Sequence, residues 1–318
     1  IDAISKTTER RTYDNTLGAF DVACEDLETI MGVVGHLESV ASTPELRDVY
    51  NRVKPEVSAF FASIPLDDAL YAALREYAET PSARALTGSR KRFLEKTLDD
   101  FRRNGAALPA PEKARLRELS RELSEITARY SQNVVDATSS FELVIRDERK
   151  LAGLPASAME AARESAAEKG LEGWRFSLHA PSVTPILTYL DDRAIRREIY
   201  LAYNTRATRG PTANPPLIAR ILELRREQTR LLGFATFADL VLEDRMAHDA
   251  ATAMRFIEDL AERARRAFHR ENEELAAFAR EIERDPTRVL EPWDIAYYAE
   301  KRRKKLFDFD EEELRPYL

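Results

Sequence analysis

Leu116-Arg-Glu-Leu119-Ser-Arg-Glu-Leu123-Ser-Glu-Ile126-Thr-Ala-Arg-Tyr130-Ser-Gln-Asn-Val134 decides the fold class. Its apolar residues recur at steps of three and four. They therefore line one side of a helix, with Arg and Glu on the other. The same period extends outward in both directions. Leu17, Phe20, Cys24, Leu27, Met31 and Val34 form one stripe, for which Asp14 or Asn15 is the expected N-cap. Thr43-Pro44-Glu45 opens another helix with proline at its first position, and Leu46, Val49, Val53, Val57, Phe60 and Ile64 continue it. Pro55 is expected to kink or restart that helix.

A helix over 66–78 turns Leu70, Leu74 and Tyr77 inward. One over 89–103 buries Phe93, Leu94, Leu98 and Phe101 and ends at Asn104-Gly105. The Pro/Ala stretch 106–111 reads as a loop. These first segments read as antiparallel helical hairpins. Only 141–146, Phe-Glu-Leu-Val-Ile-Arg, and 174–178, Trp-Arg-Phe-Ser-Leu, have strand character, and they are expected to pair across a short helix near 156–169. Helices follow at 192–204, 216–232, 236–244, 249–284 and 291–306, with a Pro/Thr/Arg-rich loop at 205–216. The expected fold is all-α, with at most a small sheet.

Composition agrees. Of 318 residues, 33% are charged, 44% are hydrophobic and only 10 are glycine, which suits long exposed helices and not a Gly-rich nucleotide fold. The net charge of −7 offers no general attraction to phosphate, so nucleic acid is not an expected partner. No run of eighteen apolar residues suggests a membrane span. A single cysteine, Cys24, excludes an internal disulfide, suggests a reducing compartment such as the cytoplasm, and reads as a buried structural thiol. Ile1-Asp2-Ala3-Ile4 carries neither a Met nor a signal-peptide pattern, which leaves open residues upstream and a cleaved signal.

Candidate chemistry is sparse. His36, His179, His248 and His269 include no pair at the i, i+4 spacing of a helical zinc site. His269 and Glu273 have that spacing, with Glu274 beside them, but on a Glu/Arg-rich helix such pairs are usually solvated. The basic run Lys301-Arg-Arg-Lys-Lys305 suits a helix C-terminus, with phosphate binding as the alternative; Asp308 and Asp310 to Glu313 suit the start of a following turn. No Gly-rich phosphate loop and no nucleophile elbow occur.

From about residue 113 the chain resembles the thimet oligopeptidase and oligopeptidase A family of zinc metallopeptidases. The segments that carry this, in the family's order, are Arg115 to Asn133, Trp174 to Leu190, and Arg196 to Arg206 with Tyr200, Tyr203, Asn204 and Thr205. Asn214 to Ala247 follows, with Leu224-Arg225, Leu232-Gly233-Phe234, Ala238-Asp239 and Arg245-Met246-Ala247. The most specific is Leu290-Glu-Pro-Trp-Asp-Ile295 with Tyr297, Tyr298, Lys301 and Arg302, running to Arg315-Pro-Tyr317. Residues 1–112 fit the family's variable N-terminal helices by pattern alone.

The resemblance implies N-terminal hairpins over 1–112 and a helical channel-wall region over 113–318 of an elongated protein that admits short peptides. It also implies that the zinc site, His-Glu-x-x-His plus a later Glu, lies C-terminal to the Arg-Pro-Tyr segment. No catalytic, metal or cofactor residue is therefore assigned in this chain. Zinc belongs to the full-length parent enzyme, and the expected partner is the C-terminal catalytic half. The alternative is a stand-alone non-catalytic helical protein that binds peptides or a protein partner.

Overall fold

The computed structural model describes residues 1–41 and 43–307. Fifteen α-helices and one two-stranded sheet run along these residues. They are α1 Asp2–Ser5, α2 Gly18–Val22, α3 Glu25–Val40, α4 Pro44–Ser63, α5 Asp68–Ala78, α6 Pro81–Arg84, α7 Gly88–Arg103, α8 Ala110–Ser140, β1 Leu143–Ile145, α9 Ala156–Ala167, β2 Trp174–Phe176, α10 Ala180–Tyr189, α11 Arg193–Asn204, α12 Pro215–Leu231, α13 Phe237–Leu242, α14 Ala250–Glu283 and α15 Pro292–Phe307. The all-α expectation holds, and the sheet is as small as the two short apolar runs allow.

Several local readings need correction. The stripe from Leu17 to Val34 is not one helix. A π-turn over Tyr13–Leu17 leads into α2, and the chain breaks at Cys24 before α3. The cap is Thr12, upstream of the residues expected. Its hydroxyl accepts from the Asn15 N–H while the Asn15 carboxamide oxygen accepts from the Thr12 N–H, a reciprocal capping box. Cys24 flanks α3 and is half-buried rather than enclosed. Pro55 does not restart α4, which runs unbroken from Pro44. The carbonyl that Pro55 leaves without a helical donor belongs to Asn51. Both residues are exposed, so water can satisfy it. The pattern also missed α10, whose two prolines Pro181 and Pro185 mask a helix.

The chain folds as two compact units. The first joins Ile1–Glu122 to Leu224–Val241. Its core gathers Leu17, Ile64, Leu70, Leu74, Leu94 and Phe101. Phe101 stacks on Tyr71 and meets Phe20 edge-on, each at 5.8 Å. Two buried cations are satisfied here. Arg11 donates to the Ile4 carbonyl at 2.6 Å and to Glu76 at 3.0 Å, and Lys113 donates to Asp68. Arg115 clamps α8 to α12 with a bidentate pair on Glu227 at 2.6 and 2.9 Å. Gly105, at φ +91°, ends α7 in a Schellman turn: its N–H donates to the Arg102 carbonyl, and the Ala106 N–H donates to the Phe101 carbonyl.

The second unit comprises Leu123–Glu223 and the chain from Leu242 onward. Strands β1 and β2 pair antiparallel, Leu143 opposite Phe176 and Ile145 opposite Trp174. Gly173 allows the approach: at φ +102°, a Cβ there would sit 2.4 Å from the Ile145 carbonyl oxygen. Ile145, Phe176, Val183, Ile186, Leu190 and Ile199 form the core beneath this hairpin. A polar cluster shapes the 205–214 loop. The Asn133 carboxamide donates to that of Asn214 at 2.8 Å, Asn214 donates to the Tyr130 carbonyl at 3.0 Å, and Arg206 donates to Thr138 at 3.1 Å.

Among the described residues no single helix is long and apolar enough to cross a membrane. Only α4 with its following turn and α5, bent by 47°, reaches that length and apolarity as a pair. The apolar face of α5 (Leu70, Leu74 and Tyr77) is already buried in the first core.

Leu74 is fully enclosed. Leu74→Ala should destabilise the protein by about 2–5 kcal/mol, read as a lower urea midpoint at unchanged slope. Half-buried Cys24 should react completely with a thiol reagent in the native state, more slowly than in urea; complete native protection would contradict its placement at the helix break.

Candidate functional site

The most family-like stretch, Leu290 to Arg302, builds a charged and aromatic cluster where the start of α15 meets the end of α10 and the start of α11. Asp294 is 0% exposed and Arg196 is 1% exposed. Arg193 grips Asp294 with its Nε at 3.0 Å and its Nη2 at 2.7 Å, and Arg196 donates from Nη2 at 2.9 Å. The Glu291 N–H also donates to Asp294, at 3.1 Å. The rest of the Arg196 guanidinium donates to main-chain carbonyls: Leu190 at 2.7 Å, Asp191 at 3.0 Å and Trp293 at 3.2 Å. One cation thus closes the end of α10 and fixes the start of α15.

Aromatic rings complete the cluster. Arg196 lies 3.9 Å from the Tyr297 ring centroid, and Trp293 faces Arg193 and Arg197 at 5.8 and 5.5 Å. The Tyr297 hydroxyl donates to Asp191 at 2.7 Å, and Lys301 donates to the same oxygen at 2.9 Å. Tyr298 donates to Glu283 at 2.9 Å and accepts from Arg288 at 2.9 Å.

Burial pushes the Asp294 carboxyl up. Hydrogen bonds from Arg193, from the Glu291 backbone and from Arg196 outweigh that and hold it below the usual carboxylate range. Asp191 behaves alike, with burial opposed by Lys301 and Tyr297. Burial, then the bond to Asp191, raises the Tyr297 hydroxyl. Both Asp294 oxygens are committed to protein donors, and its carboxyl stays ionised. The cluster is therefore a lock between helices.

Most of the sequence candidates lie among the described residues. Of the aromatics in the Leu290 to Arg302 stretch, Tyr297 and Tyr298 pack on α14, buried with Leu275 and Ala279, whereas Trp293 is half-buried against Tyr200 and Arg193. In the basic run, Lys301, Arg302, Arg303 and Lys305 are ion-paired with Asp191, Glu274, Glu300 and Glu281, which argues against a phosphate site. His36, His179, His248 and His269 are exposed on separate elements, and Glu274, the acid beside His269, is held by Arg302 at 2.7 Å. Asp308, Phe309, Asp310 to Glu313, and Arg315 to Leu318 lie outside the described residues.

Periodicity did not single out the bare stripe of α14, which carries Met254, Ile257, Leu260 and Phe268. Its signal was present in the sequence as apolar steps along an unusually long helix.

Comparison with known proteins places the chain in a class. Residues 186–318 match Peptidase family M3, and residues 2–113 match the N-terminal domain of neurolysin and thimet oligopeptidase. The chain belongs to this thimet oligopeptidase and oligopeptidase A family of zinc peptidases, over its N-terminal part. Oligopeptidase A of Escherichia coli is 38% identical over 313 residues, covering 96% of this chain and 46% of its own length. Oligopeptidase A of Salmonella typhimurium is 37% identical, with the same coverage. The probable cytosolic oligopeptidase A of Arabidopsis thaliana is 32% identical over 92% of this chain and 42% of its own length. The chain thus spans about half the length of the curated relatives it matches.

The zinc ion implied by the family needs two imidazoles and a carboxylate converging on one point. Among the described residues no group of three or more His, Cys, Asp or Glu could hold a metal ion. The described donor set does not fit zinc.

Removing the charge of Asp294 tests the lock. Asp294→Asn leaves Arg196 buried without its counter-charge and should cost about 3–5 kcal/mol at neutral pH. Because the folded pKa is depressed, this stabilisation is complete above the unfolded carboxylate pKa of about 3.9 and fades as pH falls through the folded value. The gap between wild type and variant in urea midpoint should be widest near neutral pH and close in acid. A gap independent of pH would refute the electrostatic account.

Proposed function

We propose that this chain is the N-terminal, non-metal-binding part of a zinc-dependent oligopeptidase that hydrolyses short peptides. In this reading residues 1–112 supply N-terminal helical hairpins and residues 113–318 a wall of the substrate channel. Cleavage needs the zinc-bearing remainder. The carrying observation is one of coverage: relatives named oligopeptidase A match 96% of this chain and only 46% of themselves. Two features support it. The described residues offer no metal-ligating cluster, and the most family-like motif is spent on helix docking. A cytoplasmic location is part of the proposal, supported by the single unpaired cysteine and by the cytosolic name of the plant relative.

Co-expression tests it. The chain is produced alone and together with the C-terminal part of Escherichia coli oligopeptidase A, beginning where the match to this chain ends. Zinc-dependent, chelator-sensitive cleavage of a short quenched-fluorescent peptide should appear only with both parts present. Stoichiometric zinc together with chelator-sensitive cleavage by the chain alone would overturn the proposal.

A further inference from the structure

The apolar face of α14 outruns its cover. Met254, Ile257, Ala261, Ala264, Phe268 and Leu275 fall on one side of this helix. At the C-terminal end that side is closed, with Leu275 and Ala279 buried beneath Tyr297 and Tyr298 of α15. The two helices run antiparallel: Tyr298 reaches Glu283, Arg302 reaches Glu274, and Phe307 shares a groove with Phe268. The described part of α15 ends at Phe307. Residues 250–267, roughly 27 Å of helix, carry the same stripe onward, and among the described residues nothing covers it. Met254, Ile257, Leu260 and Phe268 are between 49% and 63% exposed. Where covered and bare halves meet lies an open groove of about 430 Å³, walled by Phe268, Leu275, Ile295, Ala299, Leu306 and Phe307.

We infer that this stripe and its groove seat an apolar helical segment of the zinc-bearing remainder of the enzyme, an inference that rests on the function proposed above. Three observations select that occupant. The relatives carry as much chain again beyond what is matched here. The match to Peptidase family M3 spans residues 186–318 and so contains the whole stripe. The stripe is also continuous with an existing helix–helix interface, α14 on α15. The chemistry specifies the shape of the partner. Exposed Ala261 and Ala264, in the middle of the stripe, let another helix approach closely between the larger Ile257 and Phe268. Charges of both signs, among them Glu258 and Arg265, flank the stripe, so burial of apolar surface and not a single-signed field holds the partner.

The test uses the full chain with the same C-terminal part of Escherichia coli oligopeptidase A. Ile257→Glu and Phe268→Glu change exposed residues and should leave the helical content of the free chain intact. Each should lower complex formation, and the peptide cleavage it restores, about tenfold or more. Arg266→Glu, on the opposite side of α14, should leave both within about twofold. Met254 should oxidise readily in the free chain and be protected in the complex, a readout that does not depend on any variant folding. If the stripe variants reassemble as well as the parent, or Met254 reacts equally in both states, the docking surface is wrong while the half-enzyme reading stands. If the parent chain forms no complex, both fall. A dimer of the free chain that Phe268→Glu abolishes assigns the stripe to a second copy and overturns the inference.

Discussion

Asp294 sits between two guanidinium groups with no exposure to water, and the arrangement of the second unit follows from satisfying it. A lone carboxylate there would be costly to bury, and so would Arg196 without it. Together they close a circuit in which each polar atom of Asp294 has a partner and Arg196 also ties off the carbonyls at the end of α10. Such a pair does not by itself add much stability over a well-packed apolar alternative. It specifies instead. Only one placement of α15 on α10 and α11 brings Asp294, Trp293 and Tyr297 onto Arg193, Arg196 and Arg197 at once. That placement also lays α15 back along α14, because the turn after Glu283 reverses the chain through Arg284 in the left-handed region.

The result is a helix that is longer than its partner. Where α15 covers α14, small and aromatic residues interdigitate and are buried. Where it does not, the same apolar period continues without a cover among the described residues. Large bare stripes are uncommon on self-sufficient proteins. Under the proposed function this one has a direct physical reason: it is a surface to be covered by the remainder of the enzyme. The first unit also leaves apolar residues bare, Ile30, Val33, Leu37 and Val40 of α3 among them. Its core is closed around α5 and α7, and its buried cations Arg11 and Lys113 are internally paired.

Zinc peptidase chemistry asks for converging imidazoles, and the four histidines here are scattered on exposed positions. The residues that most resemble the family do mechanical work instead. Arg115 clamps two helices, Asn214 and Arg206 shape a loop, and Asp294 locks a helix in place.

Periodicity alone determined most of the longer helices, because steps of three and four reflect local backbone geometry that needs no tertiary partner. The bounds of α5, α7, α9 and α14 were legible for that reason, as was the glycine stop at Gly105, which needs only a positive φ. Local pattern could not show where a stripe breaks. The period through Cys24 is unbroken in sequence, yet the reciprocal cap of Thr12 and Asn15 and the bend before Glu25 divide it. Nor could it show that Pro55 is tolerated, since that depends on water reaching the Asn51 carbonyl, or that α10 forms despite two prolines. Above all, Asp294 reads as an ordinary acid in the first turn of a helix. Its partners lie about a hundred residues earlier in the chain, and only folding brings Arg193 and Arg196 to it. The tertiary structure likewise decided which aromatics are core and which apolar face stays bare, because burial depends on what lies opposite a stripe, and a helical period specifies one side of that contact only.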